Sequence, residues 1–228
     1  MSSAPAPRPR VRVWPLGVRS TAMLVAACVA IGAAGALVLH GAGDRRAHAL
    51  QFASVSAGGL RADAVWEAGE KAAPPIALRD QSNRLVSLSG QRGRPVLLAF
   101  MDSHCKLICT VEGPTIHRAL SRVRATVPVT LLVVSVNPWE DTATSSRAAA
   151  GRWGFAGDWH WLRGSPAQLR PVWRAYGMEV ARTAGDVNHS TAVYLIDGRG
   201  YERAGFNYPF PADQVAHDLW ALARPQTS

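Results

Sequence analysis

The stretch Pro95-Val96-Leu97-Leu98-Ala99-Phe100 is a continuous apolar run, and two cysteines, Cys105 and Cys109, follow shortly after it. A short apolar run of this kind is typical of a strand that is buried on both faces. Ligands of open α/β sheets gather beyond the carboxyl ends of such strands. The sequence therefore places a pair of cysteines where an α/β fold carries its chemistry.

Strand and helix signals alternate around this run. The first predicted elements are a hairpin of Ile76–Leu78 and Leu85–Leu88 around Asn83, the strand Pro95–Phe100, a helix over Thr115–Val123 and a strand over Val127–Val136. They are followed by a helix over Thr142–Trp153, a helix from the capping box Ser165-Pro166-Ala167-Gln168 to Tyr176, strands over Thr191–Ile196 and Glu202–Phe206, and a helix over Asp213–Ala223. After the hairpin, with the two consecutive helices counted as one helical connection, the order β-α-β-α-β-β-α predicts a parallel sheet with an antiparallel edge, which is the order of the thioredoxin fold.

The chain before this domain divides into three predicted segments. Residues 1–19 are rich in proline and arginine, lack acidic residues, and are predicted to be a disordered cytoplasmic tail. Ser20–Leu39 carries no charge and is long enough to cross roughly 30 Å of hydrocarbon as a helix. The preceding arginines predict a single-pass anchor in a bacterial cytoplasmic membrane, with the C-terminal domain outside the cytoplasm. Residues 40–72 are predicted to be a linker with one short helix around Ala62–Lys71, and residues 73–228 to be the folded α/β domain.

Two other interpretations of the N-terminal segment are weaker. A cleaved signal peptide could use Ala47-His48-Ala49, but Arg45 and Arg46 separate this site from the apolar stretch. A mitochondrial presequence is also arginine-rich, but the prolines would break its amphipathic helix. The net charge of +9 is spread along the chain rather than clustered, which disfavours nucleic-acid binding.

Cys105 and Cys109 form either a redox pair or part of a metal site. If residues 105–109 are helical, their Cα atoms lie roughly 6 Å apart, a separation that suits both a disulfide and a shared metal ion. A nearby helix N-terminus and the charge of Lys106 both favour thiolates. An ordinary structural disulfide is a weaker interpretation, because so short a loop yields little stabilisation.

His189 is the candidate third ligand. It stands just before the predicted strand Thr191–Ile196, in the loop that faces the cysteine turn in a thioredoxin-type fold. Two thiolates and one imidazole suit Cu(I), whereas Zn(II) would need a fourth ligand or a water molecule. His104 adjoins Cys105 and is either a supporting group or a spare ligand. A thiol–disulfide oxidoreductase would need the cysteines but no metal, and a purely structural membrane-tethered domain would need neither.

From about Pro75 to Leu222 the chain resembles the SCO/SenC family of membrane-anchored thioredoxin-fold proteins. The segments that carry the resemblance are Pro95–Phe100, Ser103-His104-Cys105 with Cys109, Ser135-Val136-Asn137-Pro138 with Asp141-Thr142, and His189-Ser190-Thr191 with Tyr194-Leu195-Ile196-Asp197. The chain departs from the family pattern at Lys106-Leu107, where Pro-Asp is usual, and at Thr110, where proline is usual. It also departs at Asn137 and Asn188, where acids are usual.

The resemblance implies a copper metallochaperone. It maps the family's copper ligands onto Cys105, Cys109 and His189, with copper as Cu(I) or Cu(II). The implied activity is delivery of Cu(I) to the binuclear copper centre of cytochrome c oxidase, so the expected partner is the copper-bearing oxidase subunit or another copper or thiol protein. The alternative is a membrane-tethered thiol–disulfide oxidoreductase that acts on a partner's cysteine pair, which leaves open whether the protein is an enzyme.

Overall fold

A computed structural model of the chain describes residues 59–224, which form a mixed α/β unit. Its strands are β1 (Ala64–Val65), β2 (Lys71–Ala72), β3 (Ala77–Arg79), β4 (Leu85–Ser87), β5 (Val96–Met101), β6 (Thr130–Ser135), β7 (Trp159–Leu162), β8 (Val180–Thr183), β9 (Asp186–His189), β10 (Ala192–Ile196) and β11 (Tyr201–Asn207). Its α-helices are α1 (Cys109–Val123), α2 (Ala143–Trp153), α3 (Pro166–Ala175) and α4 (Ala212–Ala223), and a 3₁₀ turn covers Ser89–Gln91.

The central sheet has seven strands in the order β1-β11-β10-β5-β6-β7, with β2 also paired with β11. Strands β5, β6 and β7 are parallel, whereas β10 runs antiparallel to both β5 and β11. Two separate hairpins, β3–β4 and β8–β9, complete the unit. The parallel core with an antiparallel edge confirms the predicted sheet.

Strand β5 is buried on both faces and separates two hydrophobic cores. Leu97, Ala99 and Met101 point into one core, which also holds the apolar faces of α1, α2 and α4. Leu98 and Phe100 point into the other core, with α3 and the β3–β4 hairpin. This alternation explains the continuous apolar run, because a strand covered on both faces has no solvent side to make polar.

Several sequence predictions are confirmed, including two helix starts. Thr142 caps α2 and exchanges hydrogen bonds with Ser145, and Ser165 caps α3 in the same way with Gln168. Each capping box satisfies backbone N–H groups that the first turn of a helix leaves unpaired. The hairpin around Asn83 is also present, and Asn83 has the positive φ of 62° that its turn requires.

Other predictions are corrected by the structure. Helix α1 begins at Cys109 rather than Thr115, and it includes Pro114. Strand β7 and the β8–β9 hairpin were not predicted. The helix expected around Ala62–Lys71 is absent, because β1 and β2 pair with β11 there. The folded unit therefore includes residues that the sequence analysis placed in the linker.

The predicted tail of residues 1–19 and the predicted anchor Ser20–Leu39 lie outside the described residues. Within residues 59–224, none of the helices combines the length and apolar character needed to cross a bilayer.

Candidate functional site

The two cysteines lie where β5 gives way to α1, as the sequence predicted. Cys105 is half-buried in the turn before the helix, and Cys109 is the buried first residue of α1. The condition that residues 105–109 are helical is therefore not met, because only Cys109 belongs to the helix. The backbone N–H of Cys109 donates to the Cys105 sulfur at 3.3 Å. The helix thus directs one of its unpaired N–H groups at the more accessible sulfur.

The environments of the two thiols are opposite. The hydrogen bond from the Cys109 thiol, supported by the backbone N–H groups of Cys109 and Leu107, lowers the pKa of Cys105 to about 6. The same hydrogen bond, together with burial, raises the pKa of Cys109. The Asp102 carboxylate opposes ionisation of Cys105, whereas the Lys106 ammonium, expected to favour it, is exposed to water. Cys105 is therefore the thiolate at neutral pH and Cys109 the thiol.

His189 is the last residue of β9, where it pairs with Val180 in the β8–β9 hairpin. Its Nδ1 lies 2.8 Å from the Ser190 carbonyl oxygen, which can only accept a hydrogen bond. The proton is therefore assigned to Nδ1, and Nε2 keeps a free lone pair. Burial lowers the pKa of His189, so the imidazole is neutral at physiological pH. A neutral ring with one free nitrogen is the form that binds a metal ion.

Cys105 and His189 line one cavity of about 300 Å³. The residues of the cysteine turn that share it are Lys106, Leu107 and Ile108, and those of the hairpin and its exit are Asp186, Val187, Asn188 and Thr191. In the described residues, the ligand atoms of Cys105, Cys109 and His189 do not all lie within 4.8 Å of one another. The cavity therefore brings the turn and the hairpin together without closing them into a finished three-ligand site.

Two of the residues that line this cavity are exposed apolar side chains. Leu107 is 74% and Ile108 42% exposed, and Val111, in the first turn of α1, is 52% exposed. Several large exposed apolar side chains in one segment are typical of a surface that contacts another molecule. Lys106, exposed between Cys105 and Leu107, supplies a positive charge at the same place.

Acidic residues that the sequence analysis did not select lie on the other side of the cysteine turn. The carboxylates of Asp102 and Asp141 are buried, and each lies near Nδ1 of the half-exposed His104, at 3.8 and 3.7 Å respectively. Asp141 accepts hydrogen bonds from Ser103 and Ser135, and from the indole N–H of Trp161 at 3.3 Å. Asp102 follows β5 and Asp141 precedes α2, so only the parallel pairing of β5 and β6 brings them together.

Glu112 was also missed. It lies on the buried face of α1, one turn after Cys109, and neither of its carboxylate oxygens has a hydrogen-bond partner. Burial, with a smaller contribution from the charge of Cys105, raises its pKa to about 8. A glutamate three residues after a cysteine at a helix start was the available sequence signal, but burial could not be inferred from it.

A larger cavity of about 780 Å³ lies away from the cysteines, between α3 and the β8–β9 hairpin. Arg170, Arg174 and Arg182 line it, and the Arg182 guanidinium lies 5.1 Å from the centre of the Trp139 ring. No cysteine or histidine faces it, so it is not the predicted site.

The fold and the paired cysteines define a thioredoxin-like α/β protein with a candidate dithiol–histidine site. The family model described as SCO1/SenC matches residues 67–224, which is more than half of the chain. The chain therefore belongs to the SCO1/SenC family.

Individual relatives agree with this assignment. The chain is 28% identical over 218 residues to the protein SCO2 homolog, mitochondrial, of Bos taurus, covering 87% of this chain and 74% of that protein. Among solved structures, copper-bound ScoI of Arabidopsis thaliana has a TM-score of 0.60 at 22% identity, covering 65% of this chain and 96% of its own. BsSco, described as a member of the Sco family of cytochrome c oxidase assembly proteins with a disulfide switch, has a TM-score of 0.58 at 19% identity, covering 70% of this chain and 97% of its own. At these identities, the two structures support the fold alone.

Proposed function

We propose that the protein is a copper-binding metallochaperone that holds Cu(I) between Cys105, Cys109 and His189. The observation that carries the proposal is that Cys105 and His189, distant in sequence, line one cavity just before the start of α1. Membership of the SCO1/SenC family and the copper-bound ScoI relative support copper as the cargo. Two sulfurs and one imidazole nitrogen are the soft ligands that Cu(I) prefers.

Each ligand has a distinct role in this proposal. The Cys105 thiolate captures the ion first, because it is ionised and reaches the cavity. The β8–β9 hairpin then moves toward the cysteine turn, and Nε2 of His189 joins the site. The Cys109 thiol loses its proton on binding, since a coordinating thiol is deprotonated by the metal. A three-coordinate site at a cavity mouth lets a recipient's thiolate enter and displace one ligand at a time.

The proposed recipient is the copper-bearing subunit of cytochrome c oxidase, where Cu(I) is delivered for assembly of the binuclear copper centre. BsSco is described as belonging to a family of oxidase assembly proteins, which supports this partner class. Leu107, Ile108 and Val111 supply an apolar rim on which such a partner can dock. The proposal includes a single membrane anchor at Ser20–Leu39 in a bacterial cytoplasmic membrane, with the α/β domain outside the cytoplasm.

A Cu(I) titration of the full chain in detergent tests the proposal. The reduced protein is titrated in competition with a Cu(I) chelator, beside the double variant Cys105→Ser/Cys109→Ser and the single variant His189→Ala. We expect one Cu(I) per chain, complete loss of tight binding in the double variant, and a loss of at least tenfold in His189→Ala. His117→Ala, which changes a histidine on α1 outside the cavity, is the matched control. Equal Cu(I) affinity of the wild type and the double serine variant would refute copper binding at these residues.

A thiol–disulfide oxidoreductase is the second candidate, and the asymmetry of the thiols favours it. An ionised, accessible Cys105 is suited to attack a partner disulfide, and the buried Cys109 thiol is suited to resolve the mixed disulfide. In that reaction the partner disulfide gains two electrons and is released as a dithiol, while Cys105 and Cys109 become a disulfide. This activity needs no imidazole ligand, so His189→Ala would leave exchange with a model disulfide unchanged while weakening Cu(I) binding.

A further inference from the structure

Three arginines line the larger cavity between α3 and the β8–β9 hairpin, which we call the arginine groove. Arg170 and Arg174 lie four residues apart on α3, and Arg182 belongs to β8. All three side chains are exposed. The fold therefore concentrates positive charge in this groove, although the charge is spread out along the sequence.

The protein does not compensate the positive charge of the arginine groove. Within residues 59–224, none of the three guanidinium groups has a carboxylate oxygen within 4.0 Å. Glu179 is the one acidic residue among those that line the groove. Like charges four residues apart on a helix repel each other, so Arg170 and Arg174 destabilise α3 unless an anion lies near them. The groove is therefore suited to bind a negatively charged molecule.

Aromatic and apolar side chains line the same groove. Trp139 is half-buried, and the Arg182 guanidinium lies 5.1 Å from the centre of its ring. The attraction between a cation and an aromatic ring favours this position of the guanidinium. Trp173 and Met178 are buried. A cavity of about 780 Å³ with apolar walls and a few charged groups can hold several side chains, and guanidinium groups bind carboxylates through paired hydrogen bonds.

These features favour an acidic polypeptide segment as the occupant. Surfaces that bind a bilayer insert large exposed apolar side chains, and within residues 59–224 no such side chain lines the groove. The chain's own N-terminal segment is disfavoured, because Asp44 is the only acidic residue of residues 1–58. A second copy of the chain is also disfavoured, because two chains with a net charge of +9 repel each other.

We propose that the arginine groove is a docking site for an acidic segment of a partner protein. Carboxylates of the segment pair with the guanidinium groups of Arg170, Arg174 and Arg182, and its other side chains contact the apolar wall. This docking site goes beyond the proposed copper function, because it needs no metal.

The β8–β9 hairpin connects the arginine groove to the cysteines. Val180 lines the groove, and its register partner His189 lines the cavity that contains Cys105. A partner bound in the groove therefore contacts the hairpin that carries His189.

Binding of an acidic peptide to the metal-free full chain in detergent tests the proposal. The probe is fluorescein-labelled decaglutamate, and its fluorescence anisotropy is measured at several salt concentrations. We expect saturable binding that weakens as the salt concentration rises, because ions screen the charges of the exposed arginines. The triple variant Arg170→Ala/Arg174→Ala/Arg182→Ala should bind the peptide at least tenfold more weakly than the wild type.

A second triple variant separates the groove from the net charge of the chain. Arg92→Ala/Arg118→Ala/Arg199→Ala removes the same charge from exposed positions outside the groove and should keep the wild-type affinity within threefold. Equal losses of peptide affinity in the two triple variants would overturn the proposal. All the substituted side chains are exposed, so both variants should fold, and circular dichroism checks this.

A lipid probe distinguishes a membrane contact from a protein contact. Phosphatidylglycerol in neutral micelles replaces the peptide, and its binding is measured by native mass spectrometry. Lipid binding that depends on the three groove arginines, without peptide binding that depends on them, would overturn the proposal. Failure of Cu(I) binding in the wild type would leave the peptide result unaffected, because the peptide is tested on metal-free protein.

Discussion

Two groups of side chains flank the same turn but are built in opposite ways: the sulfur cluster (Cys105, Cys109 and His189) and the carboxylate cluster (Asp102, His104 and Asp141). In the sulfur cluster, Cys105 and His189 line a cavity while Cys109 is buried, and the ring of His189 comes from a separate two-stranded hairpin. In the carboxylate cluster, both acidic side chains are buried, and hydrogen bonds from Ser103, Ser135 and Trp161 hold Asp141 in place. Under the proposed function, the first arrangement leaves space for an ion that enters and leaves, whereas hydrogen bonds fix the side chains of the second. The comparison predicts that one cluster controls exchange and the other controls the shape of the turn.

The largest expected effect is a difference in Cu(I) affinity between variants of the two histidines. His189→Ala should lower Cu(I) affinity about a hundredfold, or about 2.7 kcal/mol, because it removes a ligand of the proposed copper site. His104→Ala should leave Cu(I) affinity within threefold. Competition titrations of both variants with a Cu(I) chelator measure the difference. If both substitutions weakened Cu(I) binding equally, the two clusters would be a single site and the comparison would fail.

A stability effect should separate the clusters next. Asp141→Ala leaves the donors of Ser103, Ser135 and Trp161 unpaired in the interior, so it should lower the free energy of unfolding by about 3 kcal/mol. Cys109→Ser changes one buried atom and should cost about 1 kcal/mol. Chemical denaturation of the metal-free protein measures both, with Asp213→Ala as a surface control. A larger loss of unfolding free energy for Cys109→Ser than for Asp141→Ala would show that the sulfur cluster contributes more to the stability of the fold.

Glu112 provides a pH-dependent effect beside the sulfur cluster. Its pKa is raised from the ordinary value of 4.5 to about 8 in the folded protein. Between these pH values the Glu112 carboxyl is protonated in the folded state and ionised in the unfolded state. The free energy of unfolding therefore falls as pH rises from about 4.5 to about 8. Glu112→Gln removes this loss. Its melting temperature should match the wild type at pH 4.5 and exceed it increasingly toward pH 8, as measured on the apo protein. A constant difference across this range would mean that Glu112 is charged in the fold.

The sequence analysis selected the members of the sulfur cluster but not Asp102 and Asp141, for a physical reason. Cys105 and Cys109 are a local pair after a recognisable buried strand, and the resemblance to a family identified His189. Asp141 entered the sequence analysis only through the family resemblance and Asp102 not at all, and the two residues meet only because β5 and β6 are adjacent and parallel. The burial of Glu112 could not be predicted from the sequence either. The strands β8 and β9 were missed because they are short, largely exposed and carry no apolar alternation, so the element that holds His189 was predicted as a loop.

The smallest expected effect connects the two clusters directly. The negative charge of Asp102 opposes ionisation of Cys105, whose pKa is about 6. Asp102→Asn removes that charge, so the midpoint of the Cys105 alkylation rate against pH should fall by about 0.2 to 0.5 units. Rates are measured on the reduced, metal-free protein, with Cys28→Ser and Cys109→Ser in both members of the pair, so that Cys105 is the one thiol that reacts. Because the change from Asp102 to Asn keeps the shape of the side chain, an unchanged midpoint would mean that the charge of Asp102 does not act on Cys105.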